Sequence, residues 1–228
     1  YPVGMVSLNP NASNAAITLS LDNAANNTTW TMVVGHNAII PIVNAKNPLL
    51  KQLNGIGVNA NTLHELLSAT NKPSWSALLN ETANAKANIY FANASEVKNS
   101  VLGYAKVDAN NSNWHEVATI DLIAAVKADI YAIGFCSLTD VRDANTNTII
   151  QGIQILPVDK NGNGNIDAFE NIYQDLKAFT RGVWIGKYPS SLSGSVYATA
   201  AEMPTNETTL AFLRWVLTEG QYYLNQNG

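Results

Sequence analysis

Residues 159–170, DKNGNGNIDAFE, carry oxygen ligands at the spacing that a calcium-binding loop requires. Such loops take ligands from positions 1, 3, 5, 7, 9 and 12, and a glycine at position 6 makes the sharp turn. Gly164 occupies position 6, and Ile166 at position 8 would hold the loop to the core. The ligand positions hold Asp159, Asn161, Asn163, Asn165 (through its main-chain carbonyl), Asp167 and Glu170. The pattern predicts a Ca²⁺ site. The alternative interpretation is an Asn/Gly turn in which Asp167 caps the next helix.

The segments on either side of this loop indicate what such an ion would do. GIQILPV precedes the loop and reads as a strand ended by Pro157. The residues after the loop predict an amphipathic helix over 167–179, with one face formed by Phe169, Ile172, Tyr173, Leu176 and Phe179. A strand, a loop and one helix cannot open as the helix pair of a calcium sensor does. We therefore expect a structural Ca²⁺ that holds the start of this helix.

Strands and helices alternate along the rest of the chain, which is typical of an α/β protein. WTMVVG and AIIPIV read as a nearly continuous buried strand. Asn61 or Thr62 is the expected cap of the first long helical segment. The other predicted helices are PSWSALLNET, SEVKNSVLGYAKV, TIDLIAAVKAD and one long C-terminal helix, NETTLAFLRWVLTEGQYYLN. The other predicted strands are ANIYFA, IYAIGFCSL, IIQGIQILPV, GVWIGKYP and SVYATA.

Composition restricts the function classes. The 228 residues carry a net charge of −4, with only 13% charged residues. No stripe of Lys and Arg is present to neutralise phosphates, so a nucleic-acid partner is excluded. No stretch approaches the roughly 18 to 20 apolar residues of a membrane span. No signal peptide is recognisable, and the chain begins at Tyr1 without a Met, so we expect a mature or trimmed segment.

Several phrases in order resemble a known family. They are VGMVSL, VVGHNAIIPIVNAKNPL, the helix before Trp75, DIYAIGFCSL, RGVWIGKYP and AFLRWVLTEGQYYL. Together they resemble the phosphate-type solute-binding proteins of ABC transporters, which are periplasmic binding proteins of type II, and in particular a divergent branch with an NGNG.ID..E loop. The resemblance implies two α/β lobes joined by two crossing strands near 42–44 and 186–188. Lobe I would comprise residues 1–43 plus 187–228, and lobe II residues 44–186 with the calcium-type loop.

The resemblance also implies where a ligand would bind. In the family, a further strand and helix with a Ser-rich phosphate loop precede the point where this chain begins, so the N-terminal part of lobe I is expected to be absent. An Arg and a Ser-Gly-Thr loop open a lobe II helix in phosphate binders. The matching positions here hold Phe91 and Ser95-Glu96-Val97, and Leu8 replaces a polar residue. The candidate ligand contacts are therefore Ser7, Asn93 and Ser95, with Ser95 also able to cap the helix.

Two functions follow as hypotheses. The first is a cell-envelope solute-binding protein that holds a small oxyanion such as phosphate between its lobes and works with an ABC transporter permease. The second is the same fold reused as an envelope interaction or scaffold module without a small ligand. We expect no enzyme, because no Gly-x-Ser-x-Gly, His-Glu-x-x-His or Gly-rich phosphate motif is present. The expected location is the periplasm or cell envelope, with a lipoprotein anchor as one option.

Overall fold

Two strands carry the chain between two compact units. The computed structural model describes residues 5–7, 16–20, 30–69, 73–79, 85–108, 113–143 and 145–227. One unit comprises Tyr1–Asn37 and Gly194–Gly228, and the other comprises Ala38–Ser193. Strands β3 (Trp30–Asn44) and β10 (Ser193–Ala200) each contain one of the two boundaries. The crossings predicted near 42–44 and 186–188 lie about five residues away from these boundaries, inside the larger unit.

The larger unit is built on a mixed sheet. Its strands are the second half of β3 with β4 (Asn88–Ala92), β5 (His115–Val117), β6 (Ala132–Ser137) and β9 (Ile153–Ile155). Strand β4 lies between β5 and β6 and is parallel to both, whereas β3 is antiparallel to β6 and β9. Every residue of β3 from Ala38 onward is buried. This explains why the apolar, β-branched run AIIPIV forms a central strand.

Helices surround this sheet and complete its core. They are α1 (Leu50–Ile56), α2 (Ala60–Ser68), α3 (Ser76–Leu79), α4 (Ser95–Ala105), α5 (Thr119–Ala128) and α6 (Leu176–Trp184). The cap of α2 is Asn59, not Asn61 or Thr62. Its side chain accepts from the Thr62 N–H, and the Thr62 hydroxyl accepts from the Asn59 N–H. The predicted strand IIQGIQILPV is divided by a turn at Gly152 into β8 (Thr148–Ile149), which pairs with β7 (Arg142–Asp143), and β9.

The helix predicted over 167–179 begins later than the apolar spacing indicated. Residues 167–171 form a single turn, and the helix starts at Leu176 with Asp175 as its cap, accepting from the Ala178 N–H at 2.7 Å. A side-chain cap satisfies an N–H group that the first helical turn leaves unpaired, so the helix starts where Asp175 supplies one. Ile172, Leu176 and Phe179 are buried as predicted, but Phe169 is exposed.

The segment GVWIGKYP is not a strand. Gly182, Val183 and Trp184 are the last residues of α6, and Trp184 is 70% exposed. Gly186 follows with a positive φ of 75°, and two main-chain bonds close the helix: Lys187 N–H to Gly182 O and Gly186 N–H to Val183 O. This is the Schellman arrangement, for which a glycine just past the helix is the usual signal.

The smaller unit contains four strands and two helices within its described residues. β1 (Met5–Ser7) pairs with β2 (Ala16–Ser20), which pairs with β10, and β10 neighbours β3. The predicted long C-terminal helix is interrupted after α7 (Glu207–Leu217), and α8 (Gly220–Asn227) follows. Val34, Ala198 and Leu213 form the core. None of the helices in the described parts of the chain is long and apolar enough to cross a membrane.

Candidate functional site

The carboxyl ends of three parallel strands meet at one edge of the larger unit's sheet. Strand β4 ends at Ala92 and leads into α4, β5 ends at Val117 and leads into α5, and β6 ends at Ser137 and leads into a 3₁₀ turn over Leu138–Val141. In open α/β sheets, ligands bind outside this edge, where helix N-termini offer amide donors. This edge therefore positions the residues that the resemblance selected in the larger unit.

Asn93 and Ser95 both lie exposed at this edge. The Asn93 N–H donates to Val117 O at 2.8 Å, which ties the end of β4 to β5. Ser95 does not cap α4, contrary to the prediction, because it is the first helical residue. The cap position belongs to Ala94, which makes no side-chain hydrogen bond to the helix. A helix that begins without a side-chain cap presents its first-turn N–H groups to solvent or to a ligand.

The third predicted contact, Ser7, lies in the smaller unit as the last residue of β1, where it pairs with Ala16. Its side chain is outside the described residues, as is Leu8. Of the predicted contacts, the structure therefore brings together Asn93 and Ser95.

Phe91, which the resemblance matched to an Arg of phosphate binders, is a core residue. Its side chain is 0% exposed, with its ring stacked on Phe135 at 4.9 Å and edge-on to Trp114 at 5.5 Å. Alternation along β4 explains this, since Phe91 and Ile89 share the buried pattern of the strand. A residue at position 91 cannot reach an anion at the sheet edge without disrupting the core.

Carboxylates dominate the charge at this edge. Glu96 is in the first turn of α4, and Asp140 accepts from the Ser137 N–H at 3.0 Å at the end of β6. Burial raises the pKa of Asp140, with a further rise from the charge of Glu96, against the lowering effect of the Ser137 bond. The nearby cation, Lys98, is 2.6 Å from Glu116, and this hydrogen bond lowers the pKa of the Glu116 carboxyl.

Asp159 organises the second candidate site, the loop at 159–170. Its Oδ1 accepts from the N–H groups of Gly162 and Asn163, and its Oδ2 accepts from the Gly164 N–H at 2.8 Å. Gly164 has a positive φ of 82°, the conformation that a glycine at position 6 allows. These local bonds fold the chain around the first predicted ligand.

The other predicted ligands line the same loop. The side-chain oxygen of Asn161 accepts from the Asn163 N–H, and that of Asn163 accepts from the Asn165 N–H, both at 2.9 Å. Asp167 Oδ1 accepts from the N–H groups of Phe169 and Glu170, which turns the chain back toward the start of the loop. Glu170 Oε1 accepts from the Asn161 N–H at 2.8 Å, which joins the twelfth position to the third.

Sequence reasoning did not identify the residues that hold this loop to the rest of the unit. Asn59 Nδ2 donates to Asp159 Oδ2 at 3.0 Å, and the Ile166 N–H donates to Gly55 O at 2.8 Å. The apolar Ile166 at position 8 indicated an attachment, but nothing in the sequence indicated its partner.

No protein-family model matches the chain, and none of the curated proteins matches it. Solved structures do. An ABC-type phosphate transport receptor from Vibrio cholerae is 15% identical over 91% of this chain and 76% of its own, with a TM-score of 0.56. PstS from Borrelia burgdorferi is 14% identical over 93% of this chain and 77% of its own, with a TM-score of 0.55.

A regulator shares the same fold. The regulatory domain of a LysR-family regulator from N. meningitidis is 9% identical over 91% of this chain and 70% of its own, with a TM-score of 0.50. These likenesses confirm the predicted α/β fold of the periplasmic binding protein type II class.

Proposed function

We propose that the chain is a solute-binding protein of the ABC-transporter type that takes a small oxyanion, such as phosphate, at the N-terminus of α4. The observation that carries the proposal is the uncapped start of α4 at Ala94, located where three parallel strands end. The fold shared with an ABC-type phosphate transport receptor supports it. The partner would be an ABC transporter permease.

The chemistry of this site rests on amide and side-chain donors. First-turn N–H groups and the partial positive charge of the helix end attract an anion without a counter-ion. The exposed side chains of Asn93 and Ser95 lie beside these amides and would add donors. Glu96 opposes the binding, since two unit charges about 4 Å apart repel by roughly 1 kcal/mol in water and more at a protein surface. We therefore expect weaker binding of a dianion than of a monoanion of similar size.

Titration calorimetry with phosphate, sulfate and molybdate tests the proposal. We expect heat from at least one of these oxyanions, with an affinity that falls about 2- to 10-fold in Ser95→Ala, the range for one hydrogen bond. Thr208→Ala is the control, because Thr208 is another exposed hydroxyl residue in the first turn of a helix. Absence of heat at millimolar concentration for all three anions contradicts an oxyanion ligand.

A second candidate function is favoured by the buried Phe91. With an aromatic core residue in place of the family's Arg, and with Glu96 and Asp140 at the edge, the same fold would serve as an envelope interaction or scaffold module. The partner would then be an envelope protein. If this candidate is correct, calorimetry should detect no heat of binding with oxyanions. One protein should co-purify from solubilised envelope with the wild-type chain and should not co-purify with Glu96→Lys.

The proposed location is the periplasm or cell envelope. The support is the fold, which the chain shares with transport receptors. Cell fractionation of the full-length gene product tests the location, and radiolabelled palmitate tests a lipoprotein anchor. Recovery of the protein in the cytoplasmic fraction would contradict both candidate functions.

A further inference from the structure

The loop at 159–170 contains two buried carboxylates that form no ion pair with any of the described cationic side chains. Asp159 is 0% exposed and Glu170 is 1% exposed. Among the described residues, the ion pair found is Lys98 with Glu116, and neither loop carboxylate takes part in one. Lys160, the basic residue within the loop, donates instead to Gly186 O. A buried charge without a counter-charge is unfavourable, so these carboxylates need another positive partner.

The two carboxylate oxygens of Glu170 differ in their hydrogen bonding. Its Oε1 accepts from the Asn161 N–H, but its Oε2 is buried and has no hydrogen-bond partner among the residues that the structure describes. Asp159 differs, because its two oxygens accept from three loop N–H groups and from Asn59. The unpartnered oxygen therefore belongs to the residue at position 12, which is the bidentate ligand in calcium-binding loops.

We infer that residues 159–170 bind one Ca²⁺ ion, with Glu170 Oε2 among its ligands. The oxygen ligands would come from Asp159, Asn161, Asn163, Asp167, Glu170 and the main-chain carbonyl of Asn165. Within the described residues, no group of three or more His, Cys, Asp or Glu side chains could hold a metal by itself. The inferred site depends on Asn side-chain and main-chain oxygens as well as carboxylates. That donor set fits Ca²⁺, which takes six to eight oxygens in a flexible geometry, better than Mg²⁺, which requires a near-ideal octahedron.

The contacts of the loop place the effect of the ion at the turn between α1 and α2. The Ile166 N–H bonds to Gly55 O, Val158 forms a bridge with Val58, and Asp159 bonds to Asn59. The helix after the loop starts only at Leu176, so the ion does not hold its N-terminus as the sequence suggested. Ca²⁺ would instead fix the loop against the segment 55–59 and the start of α2.

Thermal unfolding of the wild-type chain after EDTA treatment, with added CaCl₂ or MgCl₂, is the first experiment. Binding to the folded state at about 100 times the Kd raises the folded-to-unfolded ratio about 100-fold. For a chain of this size we expect Ca²⁺ to raise Tm by about 5 to 10 °C, and equal Mg²⁺ to raise it much less. Equilibrium dialysis with elemental analysis should find one Ca²⁺ per chain. No Tm shift, or no bound calcium after dialysis, would overturn the inference without any variant.

The variant Glu170→Gln distinguishes a metal ligand from a carboxylate that the fold buries without a metal. The amide keeps the shape but removes the charge and the bidentate ligand, so the Ca²⁺-induced Tm shift should be lost while Tm in EDTA is kept or raised. Asp143→Asn is the matched control, since Asp143 also accepts main-chain N–H bonds in an Asx turn, at a distant hairpin. Asp143→Asn should retain the full shift. An equal Ca²⁺ shift in Glu170→Gln and wild type would show that Glu170 is not a ligand.

Discussion

The side chain of Asn59 donates a hydrogen bond to Asp159 Oδ2 at 3.0 Å, across 100 residues of the chain. The same side chain accepts from the Thr62 N–H and so caps α2. One residue therefore joins the start of a helix to the first residue of the loop at 159–170. We expect a substitution at either residue to disturb the other, because the carboxylate of Asp159 is fully buried and needs its hydrogen-bond donors.

Asn59→Asp should destabilise the chain much more than Asn59→Ser. Both variants keep an oxygen that can cap α2 and both remove the amide donor, but Asp also puts a second carboxylate against buried Asp159. We expect a loss of about 2 to 4 kcal/mol in the free energy of unfolding for Asp, and about 1 kcal/mol for Ser. Urea unfolding in EDTA measures both, and saturating Ca²⁺ should reduce the loss for Asp. Equal losses in the two variants would contradict the predicted repulsion between carboxylates at positions 59 and 159.

Ala94→Ser should stabilise the fold and weaken oxyanion binding at the same time. Ala94 has φ −141° and ψ 121°, the extended conformation of a cap residue, so a serine hydroxyl can accept from a first-turn N–H of α4. We expect the free energy of unfolding to rise by about 1 kcal/mol. The hydroxyl competes with the ligand for the amide, so the calorimetric affinity for phosphate should fall several-fold.

Ala118→Ser provides the matched control for this prediction. Ala118 is the cap residue of α5 and also makes no side-chain cap hydrogen bond. Serine at this position should stabilise the chain to a similar degree and leave phosphate binding unchanged. If both variants weaken binding equally, the oxyanion does not bind specifically at α4.

Asp140→Asn should alter how stability depends on pH. Burial raises the pKa of Asp140 in the folded chain above its unfolded value near 3.9. The folded chain therefore binds this proton more tightly, and the stability contributed by Asp140 is present below about pH 3.9 and lost as pH rises through the folded pKa. Asparagine does not titrate and can still accept from the Ser137 N–H. Its stability relative to wild type should increase from about pH 4 upward, as measured by urea unfolding at several pH values. A pH-independent difference would contradict the raised pKa.

Local patterns predicted much of the fold and the inner geometry of the loop. The buried strands β3 and β6 are readable because nearly all of their core residues are apolar, and β4 is readable because its buried positions are apolar. The loop at 159–170 is readable because its turn is made by bonds between near neighbours, such as Gly164 N–H to Asp159. Both features depend on information within a few residues.

The incorrect predictions concern positions where a contact with a residue distant in sequence selects one of two locally possible structures. Two aspartates, Asp167 and Asp175, could each cap a helix, and the sequence favoured the first. The bond between Glu170 and Asn161 turns the chain back after Asp167, and the helix starts at Leu176 with Asp175 as its cap. Phe91 could be assigned to a ligand position by resemblance, but its burial against Phe135 follows only from the packing of two strands. The partners of the loop, Asn59 and Gly55, are about 100 residues away and leave no pattern near the loop.

Two helical glycines give opposite expectations for the same substitution. Gly182 in α6 packs against Ile172, where an added Cβ would lie 2.7 Å from side-chain atoms, whereas a Cβ on Gly103 in α4 would meet nothing within 4 Å. Gly182→Ala should therefore lower the free energy of unfolding by about 1 to 3 kcal/mol through overpacking. Gly103→Ala should raise it by about 0.5 to 1 kcal/mol, because alanine favours the helix.

Chemical unfolding of the two variants beside wild type measures both effects, with near-equal slopes expected if the folded states are alike. The comparison tests the assignment of GVWIGKYP directly. In a strand, glycine at position 182 would weaken the pairing, and alanine would be neutral or stabilising. A Gly182→Ala variant as stable as Gly103→Ala would thus contradict the helix and its close contact with Ile172. A loss confined to Gly182→Ala supports the end of α6 that the Schellman bonds at Gly186 define.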